Sequence, residues 1–301
     1  MRRGELVMTD PQAGRAAPWL SIIGVGEDGV EGLSPVARGL ISGAELVVGG
    51  HRHLALVAAL IRGETRVWAS PLAATLPALL ARRGRPVAVL ASGDPFQFGV
   101  GATLARHVAP GEMRVLPQPS SLSLAAARLG VALQDCAVVS LCGRPLATLR
   151  PALQPGARVL VLSADGETPR AVCAALVDWG LGGSRVTVLE ALGGPRERRR
   201  TCVAEGYDLT DVDPLNLFAI DVAAGPGARV LPRAPGLPDD WFEHDGQITK
   251  REVRALTLSS LRPVAGALLW DIGCGSGSVA IEWLLADPRT CAIALDANAE
   301  R

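Results

Sequence analysis

The sequence has no charge excess, no paired-cysteine motif and no long apolar run, and each absence removes a class of function. Thirty basic and thirty acidic residues cancel, so no global field favours nucleic acid or an anionic membrane surface. Six cysteines, Cys136, Cys142, Cys173, Cys202, Cys274 and Cys291, are scattered, with no Cys-x-x-Cys and no partnering histidines. That argues against a zinc site or a disulfide framework and suits a reducing cytosol. No stretch approaches the roughly 20 apolar residues of a membrane span. Residues 1–18 lack an apolar core and read as a flexible tail rather than a signal peptide. No strongly diagnostic acid–base pair stands out. The expectation is a cytoplasmic α/β protein without a metal.

What is present is informative at one stretch above all. Residues 267–279 read Ala-Leu-Leu-Trp-Asp-Ile-Gly-Cys-Gly-Ser-Gly-Ser-Val. A strand is expected over Ala267–Ile272, then Gly273, Gly275 and Gly277, then a helix over Ser278–Leu285. Strand, glycine turn and helix open a nucleotide-binding α/β unit. Glycines let the backbone approach a ligand, and the helix N-terminus presents free N–H groups. A second strand, Thr290–Leu295, runs into Asp296, an acid placed to accept hydrogen bonds from ribose hydroxyls. An ordinary tight turn is the competing reading. The acids Asp271 and Asp296, flanking the loop, favour a nucleoside site. Two strands and one helix are too few to bury both faces of a doubly wound sheet, so this unit reads as incomplete.

The first two-thirds of the chain repeat the α/β theme. A strand over Trp19–Val25 runs into Gly24-Val-Gly26-Glu-Asp-Gly29, and Ser34-Pro35 starts a helix. A strand over Glu45–Val48 precedes His51 and His53, which read as helix-start or surface residues before ligands. Helices are expected over 53–62 and 72–83. A buried strand over Pro86–Ala91 empties into Ser92-Gly93-Asp94-Pro95-Phe96. That places a carboxylate and open backbone where parallel sheets bind ligands, although the same residues also make plain turns.

Pro110, Pro117 and Pro119 mark a joint near 117, and Ser120-Ser121 caps a helix over Leu122–Leu129 that ends at Gly130. Further strands are expected over Ala137–Leu141, Arg158–Leu162, Arg185–Leu189 and Leu217–Val222, with a helix over Pro169–Trp179. Residues 19–222 thus read as two α/β lobes, 223–236 as a Gly/Pro/Ala-rich linker, and 237–301 as the incomplete unit. Arg196, Arg198, Arg199 and Arg200 read as a solvated loop, or alternatively as a landing site for a polyanion.

These residues carry a resemblance to known families. Asp271-Ile-Gly-Cys-Gly-Ser-Gly277 resembles motif I of class I S-adenosylmethionine-dependent methyltransferases. It departs from the NAD pattern, Gly-x-Gly-x-x-Gly, in the spacing of its third glycine. The lobe pair resembles the tetrapyrrole (corrin) methylases through Gly24-Val-Gly26, Ser92–Phe96, Pro119–Gly130 and Glu190–Arg198, and within them the subfamily that methylates precorrin-6 in cobalamin biosynthesis. Pro238-Asp-Asp-Trp-Phe and Ile248–Arg254 resemble the decarboxylating partner of that subfamily. Asp296 stands where the partner often has Glu.

The resemblance implies a two-lobed tetrapyrrole methylase fold followed by the start of a Rossmann-like class I methyltransferase domain, with S-adenosyl-L-methionine as cofactor. It implies cofactor contacts from Val25, Gly26, Gly93, Asp94, Ser120 and Ser121, with Asp94 the one carboxylate aiding proton movement. A second cofactor molecule would meet Thr249, Asp271, Gly273, Cys274, Gly275, Ser276, Gly277 and Asp296. Arg144, Arg150 and the 196–200 run are candidates for the substrate's carboxylates, and the family is typically homo-oligomeric. C5 methylation is implied for the lobe pair. C15 methylation with loss of the C12 acetate carboxyl is implied for the complete partner domain, so the chain as given is expected to retain at most the C5 step. Methylation at another tetrapyrrole position and non-catalytic tetrapyrrole binding are the alternatives.

Overall fold

The computed structural model describes residues 18–298; all but the last residue of the expected tail lies outside them. The first lobe runs β1 (Leu20–Val25), α1 (Pro35–Ser42), β2 (Leu46–Gly49), α2 (His51–Leu56), β3 (Glu64–Val67), α3 (Leu76–Leu80), β4 (Val87–Ser92), α4 (Val100–Leu104) and β5 (Met113–Leu116). The strands form one parallel sheet in the order β3-β2-β4-β1-β5. Alternation along the strands divides the core in two. Leu20, Ile22, Leu46, Val48, Val87 and Val89 pack with Leu76, Leu79 and Leu104 on one face. Ile23, Val25, Val47, Ala88 and Leu90 pack with Ala37 and Ile41 on the other. Burial on both faces explains why these strands read as continuous apolar runs. From β1 the chain crosses to β2 on one side, and from β4 it crosses to β5 on the other, so strand order reverses between β1 and β4. Ligands of open parallel sheets bind at such a reversal.

The second lobe holds α5 (Ser121–Leu129), β6 (Cys136–Ser140), β7 (Arg158–Leu162), α6 (Thr168–Asp178), β8 (Arg185–Glu190), β9 (Arg198–Val203) and β10 (Asn216–Asp221). Its order is β6-β7-β10-β8-β9, with β6–β7 parallel and the other pairs antiparallel. The Ser120 hydroxyl accepts the Ser123 amide at 3.2 Å, capping α5. Gly130 closes that helix at φ 69°, a left-handed conformation that favours glycine. Leu122 and Ala125 of α5 enter the core beside Leu160, Ala219, Leu189 and Leu217.

The third unit is α7 (Arg251–Leu261), β11 (Leu268–Ile272), α8 (Ser278–Ala286) and β12 (Cys291–Leu295), its two strands parallel. Leu269, Leu258, Ala280 and Trp283 make a small core. On the opposite sheet face Leu268, Trp270, Ile272, Ile293 and Leu295 are exposed. Arg254, fully buried, holds the unit to the segment before it. Its Nε donates to Glu282 Oε1 at 2.6 Å and one Nη to Asp239 at 3.1 Å, and its guanidinium lies 4.5 Å from the Phe242 ring centroid. Glu282 also accepts the amides of Gly236 and Leu237 at 2.6 and 2.9 Å.

Several sequence expectations are corrected. The helix expected over 53–62 starts at His51 and gives way after Leu56 to a 3₁₀ turn, and that over 72–83 is a 3₁₀ turn followed by α3, ending at Leu80. Short strands β3 and β5 and helix α4 were not expected, since four- and five-residue elements carry too little periodicity to read; the eleven-residue α7 was not expected either. The arginine run is not a solvated loop. It enters the edge strand β9, where Arg198 and Arg200, two apart and so on one face, both grip the buried Glu190 at 2.6 and 3.0 Å. Burial pushes the Glu190 carboxyl up, but donation from Arg198, the Asp213 amide and Arg200 outweighs it and holds the group below the ordinary carboxylate range.

Candidate active site

At the reversal between β1 and β4 the two strand ends and the Pro117–Ser120 turn nearly touch. A Cβ on Gly24 would lie 1.8 Å from the Gly93 carbonyl oxygen and 2.7 Å from the Gln118 nitrogen. Gly93, at φ 47°, has Pro119 O and Ser120 Cα within 3.0 Å of its own would-be Cβ. The Gly93 amide donates to Val25 O at 3.2 Å, and the Gln118 amide donates to Gly93 O at 3.0 Å. Three backbone segments thus meet with no side chain between them, which only glycine at 24 and 93 permits.

Beside this junction lies a cavity of about 250 Å³ between the lobes. It gathers Val25, Gly26, Gly93, Asp94, Ser120 and Ser121, all six residues that the resemblance assigns to the first cofactor site. Asp94 is oriented by its own turn, Oδ1 accepting the Phe96 amide at 2.8 Å. Leu122, Leu189 and Leu217 supply an apolar wall from the second lobe.

Sequence reasoning missed Glu27, Arg52 and Asn216, which also line it. Glu27 pairs with Arg52 and lies 3.8 Å from Arg196. Arg52 donates to Ser92 Oγ and to His53 Nε2, both at 2.9 Å. Because an arginine only donates, Nε2 accepts, which leaves the His53 proton on Nδ1, an atom that is buried and unpartnered. Burial, and then the Arg52 charge, push this histidine down to about 4. It is therefore a neutral prop behind Ser92, in keeping with a helix-start role. Glu27 was legible as the residue next to Gly26; Arg52 was not, because β2 brings it in from 25 residues away.

The second glycine loop lies elsewhere. Gly273, Gly275 and Gly277 all have positive φ, and a Cβ on Gly273 or Gly275 would meet nothing within 4 Å, so their bare backbone faces open space. The Gly275 amide donates to Asp296 Oδ2 at 2.8 Å, and the amides of Gly273 and Cys274 donate to Leu295 O at 2.7 and 3.1 Å. Asp271 Oδ2 is buried without a partner. An orphaned carboxylate oxygen beside an open glycine cradle fits a ligand with a cationic amino group. Gly275 and Ser276 line a larger cavity of about 820 Å³, shared with Arg150 of the second lobe and with Trp241 and Phe242. Thr249 is exposed and outside that lining; its carbonyl is occupied by Arg254. Among the described residues no group of His, Cys, Asp or Glu could hold a metal, and no helix is long and apolar enough to cross a membrane.

A reversal crevice lined by glycine backbone, roofed by a mixed-sheet second lobe, defines a two-lobed α/β fold built around a nucleoside-sized cleft. Residues 20–206 match the family described as Tetrapyrrole (Corrin/Porphyrin) Methylases, and residues 240–301 match a Precorrin methyltransferase domain. A Sinorhizobium protein named precorrin-6Y C(5,15)-methyltransferase [decarboxylating] is 60% identical over 95% of this chain and 69% of its own length. The crystal structure of an Archaeoglobus fulgidus precorrin-6Y methylase superposes with a TM-score of 0.54 at 28% identity, covering 68% of this chain and 98% of that one. A Thermus thermophilus uroporphyrin-III C-methyltransferase complexed with S-adenosylhomocysteine does so at 0.52 and 28%, covering 67% and 96%. The chain belongs to the tetrapyrrole methylases.

Proposed function

We propose that this chain transfers the methyl group of S-adenosylmethionine to ring carbon of precorrin-6Y, a step of cobalamin biosynthesis. The reading extends to this chain what its relatives' names say of them. The observation that carries it is the crevice between β1 and β4, where glycines 24 and 93 clear the backbone and six resemblance-assigned residues line one cavity. When bound, the cofactor supplies an electrophilic methyl group on a sulfonium.

The chain's own residues bind, orient and exclude water. Val25, Gly26 and Gly93 offer backbone groups, and Ser120 and Ser121 stand at the N-terminus of α5, where free amides favour polar ligand groups. The leucine wall keeps water from the reacting carbon. Asp94, fixed by its turn, is the carboxylate assigned to proton movement. Methyl transfer to carbon then rests chiefly on positioning.

We assign C5 methylation to residues 19–222 and treat 223–236 as a linker. Residues 237–301 belong to a class I domain in which Asp271, Gly273, Cys274, Gly275, Ser276, Gly277 and Asp296 hold a second cofactor molecule. C15 methylation and decarboxylation are assigned to that domain over its full length as the relatives carry it, and to this chain the C5 step at most. Thr249 is kept as a cofactor contact only through movement of its loop. The protein is placed in the cytoplasm as a homo-oligomer.

The test is calorimetric titration with S-adenosylhomocysteine, followed by incubation with S-adenosylmethionine and precorrin-6Y and mass spectrometry of the product. Binding at the lobe cleft and gain of a methyl group are expected. Absence of both binding and methyl gain sinks the reading.

A further inference from the structure

Glu27, next to Gly26, has contacts that cofactor binding does not explain. Its nearly buried side chain sits between Arg52 of its own lobe and Arg196 of the second, pairing with the first and lying 3.8 Å from the second. Arg196 in turn pairs with Asp213, whose Oδ1 accepts the Leu215 amide at 2.9 Å. Glu27, Arg52 and Leu215 line the cleft cavity, whereas Arg196 stands outside that lining and is largely exposed. A line of charges thus crosses from one lobe to the other at the rim of the cavity.

The turn that carries Arg196, between β8 and β9, is fixed to the second lobe. Glu197 Oε2 accepts the Gly193 amide at 2.7 Å and an Arg128 Nη of α5 at 3.0 Å, and the Ala191 amide donates to Leu215 O at 2.9 Å. Gly194 of this turn presses on Glu27, since a Cβ there would lie 2.6 Å from Glu27 Cβ. Gly194 is not among the glycines with positive φ, so its missing side chain serves the approach of the lobes and not a backbone angle. Across the same cleft the Arg144 guanidinium lies 5.8 Å from the Phe98 ring centroid, near the outer limit of about 6 Å for a cation–π contact. The cavity of about 250 Å³ is smaller than the about 300–1,000 Å³ of small-molecule sites. A nucleoside with an amino-acid tail therefore enters only if the lobes part.

We propose that Glu27 and Arg196, with Gly194 packed against them, latch the two lobes over the cofactor cleft, and that this contact opens to admit the cofactor and to release S-adenosylhomocysteine. Arg196 is a positioning residue, acting on the cleft through Glu27. Because Arg196 is largely exposed, the contact is weak enough to open in every turnover; an exposed pair of this kind changes a rate by about two- to fivefold. The inference rests on the methylase reading of the cleft and adds to it what sets the rates of entry and release.

The probe is S-adenosylhomocysteine, its association and release on the full chain read by surface plasmon resonance. Hydrogen-exchange protection at 24–27 and 120–125 identifies the cleft as the site. In Arg196→Gln both association and release should quicken by about two- to fivefold, since opening precedes each. Gly194→Ala, a wedge at the same contact, should do likewise, and Arg196→Lys should stay close to the wild-type rates. The ligand is a zwitterion without net charge, so bulk steering is small. Raising salt from about 0.05 M to about 1 M, which shortens the screening length to about 3 Å, should quicken both rates in the wild type and leave Arg196→Gln nearly unchanged. If Arg196→Gln fails to fold, the salt series on the wild type carries the test alone. Unchanged association in Arg196→Gln overturns the latch, even with faster release, because a merely loosened site loses ligand without admitting it sooner. Wild-type binding at the cleft with that result overturns the latch alone, whereas absence of wild-type binding there overturns the methylase reading as well.

Discussion

Replacing Gly24 by alanine tests the crevice most directly. The new methyl carbon would lie 1.8 Å from Gly93 O and 2.7 Å from the Gln118 nitrogen, far inside van der Waals contact, and its neighbours are backbone atoms that cannot rotate away. The chain must part β1 from the Gly93 turn, and the Gln118 N–H to Gly93 O bond of 3.0 Å breaks. Overpacking costs about 1–3 kcal/mol and a lost hydrogen bond about 1 kcal/mol, together about 2–4 kcal/mol. Because the displaced atoms border the cavity, cofactor binding should suffer with stability. The assay is calorimetry with S-adenosylhomocysteine alongside thermal unfolding, and the affinity should fall at least about tenfold. Gly39→Ala is the matched control. It lies inside α1 with nothing within 4 Å of its Cβ, so it should stabilise the fold by about 0.5–1 kcal/mol and leave binding untouched. A folded Gly24→Ala protein with wild-type affinity would refute the reasoning.

Removing Arg254 leaves Glu282 buried and uncompensated, at about 3–5 kcal/mol. Arg254→Ala should therefore abolish hydrogen-exchange protection across 236–242 and 278–286 while sparing the first sheet; unchanged protection there contradicts the assigned role. Glu190, whose carboxyl is held below its unfolded value, contributes stability that is present above the ordinary carboxylate range and lost as pH falls through the lowered folded value. Glu190→Gln should flatten this acid limb in a chemical denaturation series, and an identical limb would remove Glu190 as its source. His53 also acts on the acid side. Its value near 4 means that between about 6.5 and 4 the unfolded chain binds a proton the folded chain does not. Stability should decline over that window in the wild type and decline less in His53→Gln, read from denaturant midpoints against pH.

Much of this protein was legible in its residues because the signals were local. The runs that became β1, β4, β8 and β10 are apolar, so their existence needed only length and composition, and Ser34, Ser120 and Gly130 announced helix ends that the structure contains. Both glycine loops could be read because positive φ and close backbone approach leave few other residues possible. Tertiary structure alone decided what those loops meet. Strand order cannot be read from the strands, yet the reversal between β1 and β4 is what brings Gly24 against Gly93 and the α5 entry into one cleft. Nor could the arginines be sorted by sequence, since their character depends on a partner. Arg198 and Arg200 are consumed by a buried glutamate eight and ten residues away, whereas Arg150 stacks on Trp179 and donates to a backbone carbonyl 79 residues away. Local backbone preference fixes the loop; long-range packing fixes the company each charge keeps.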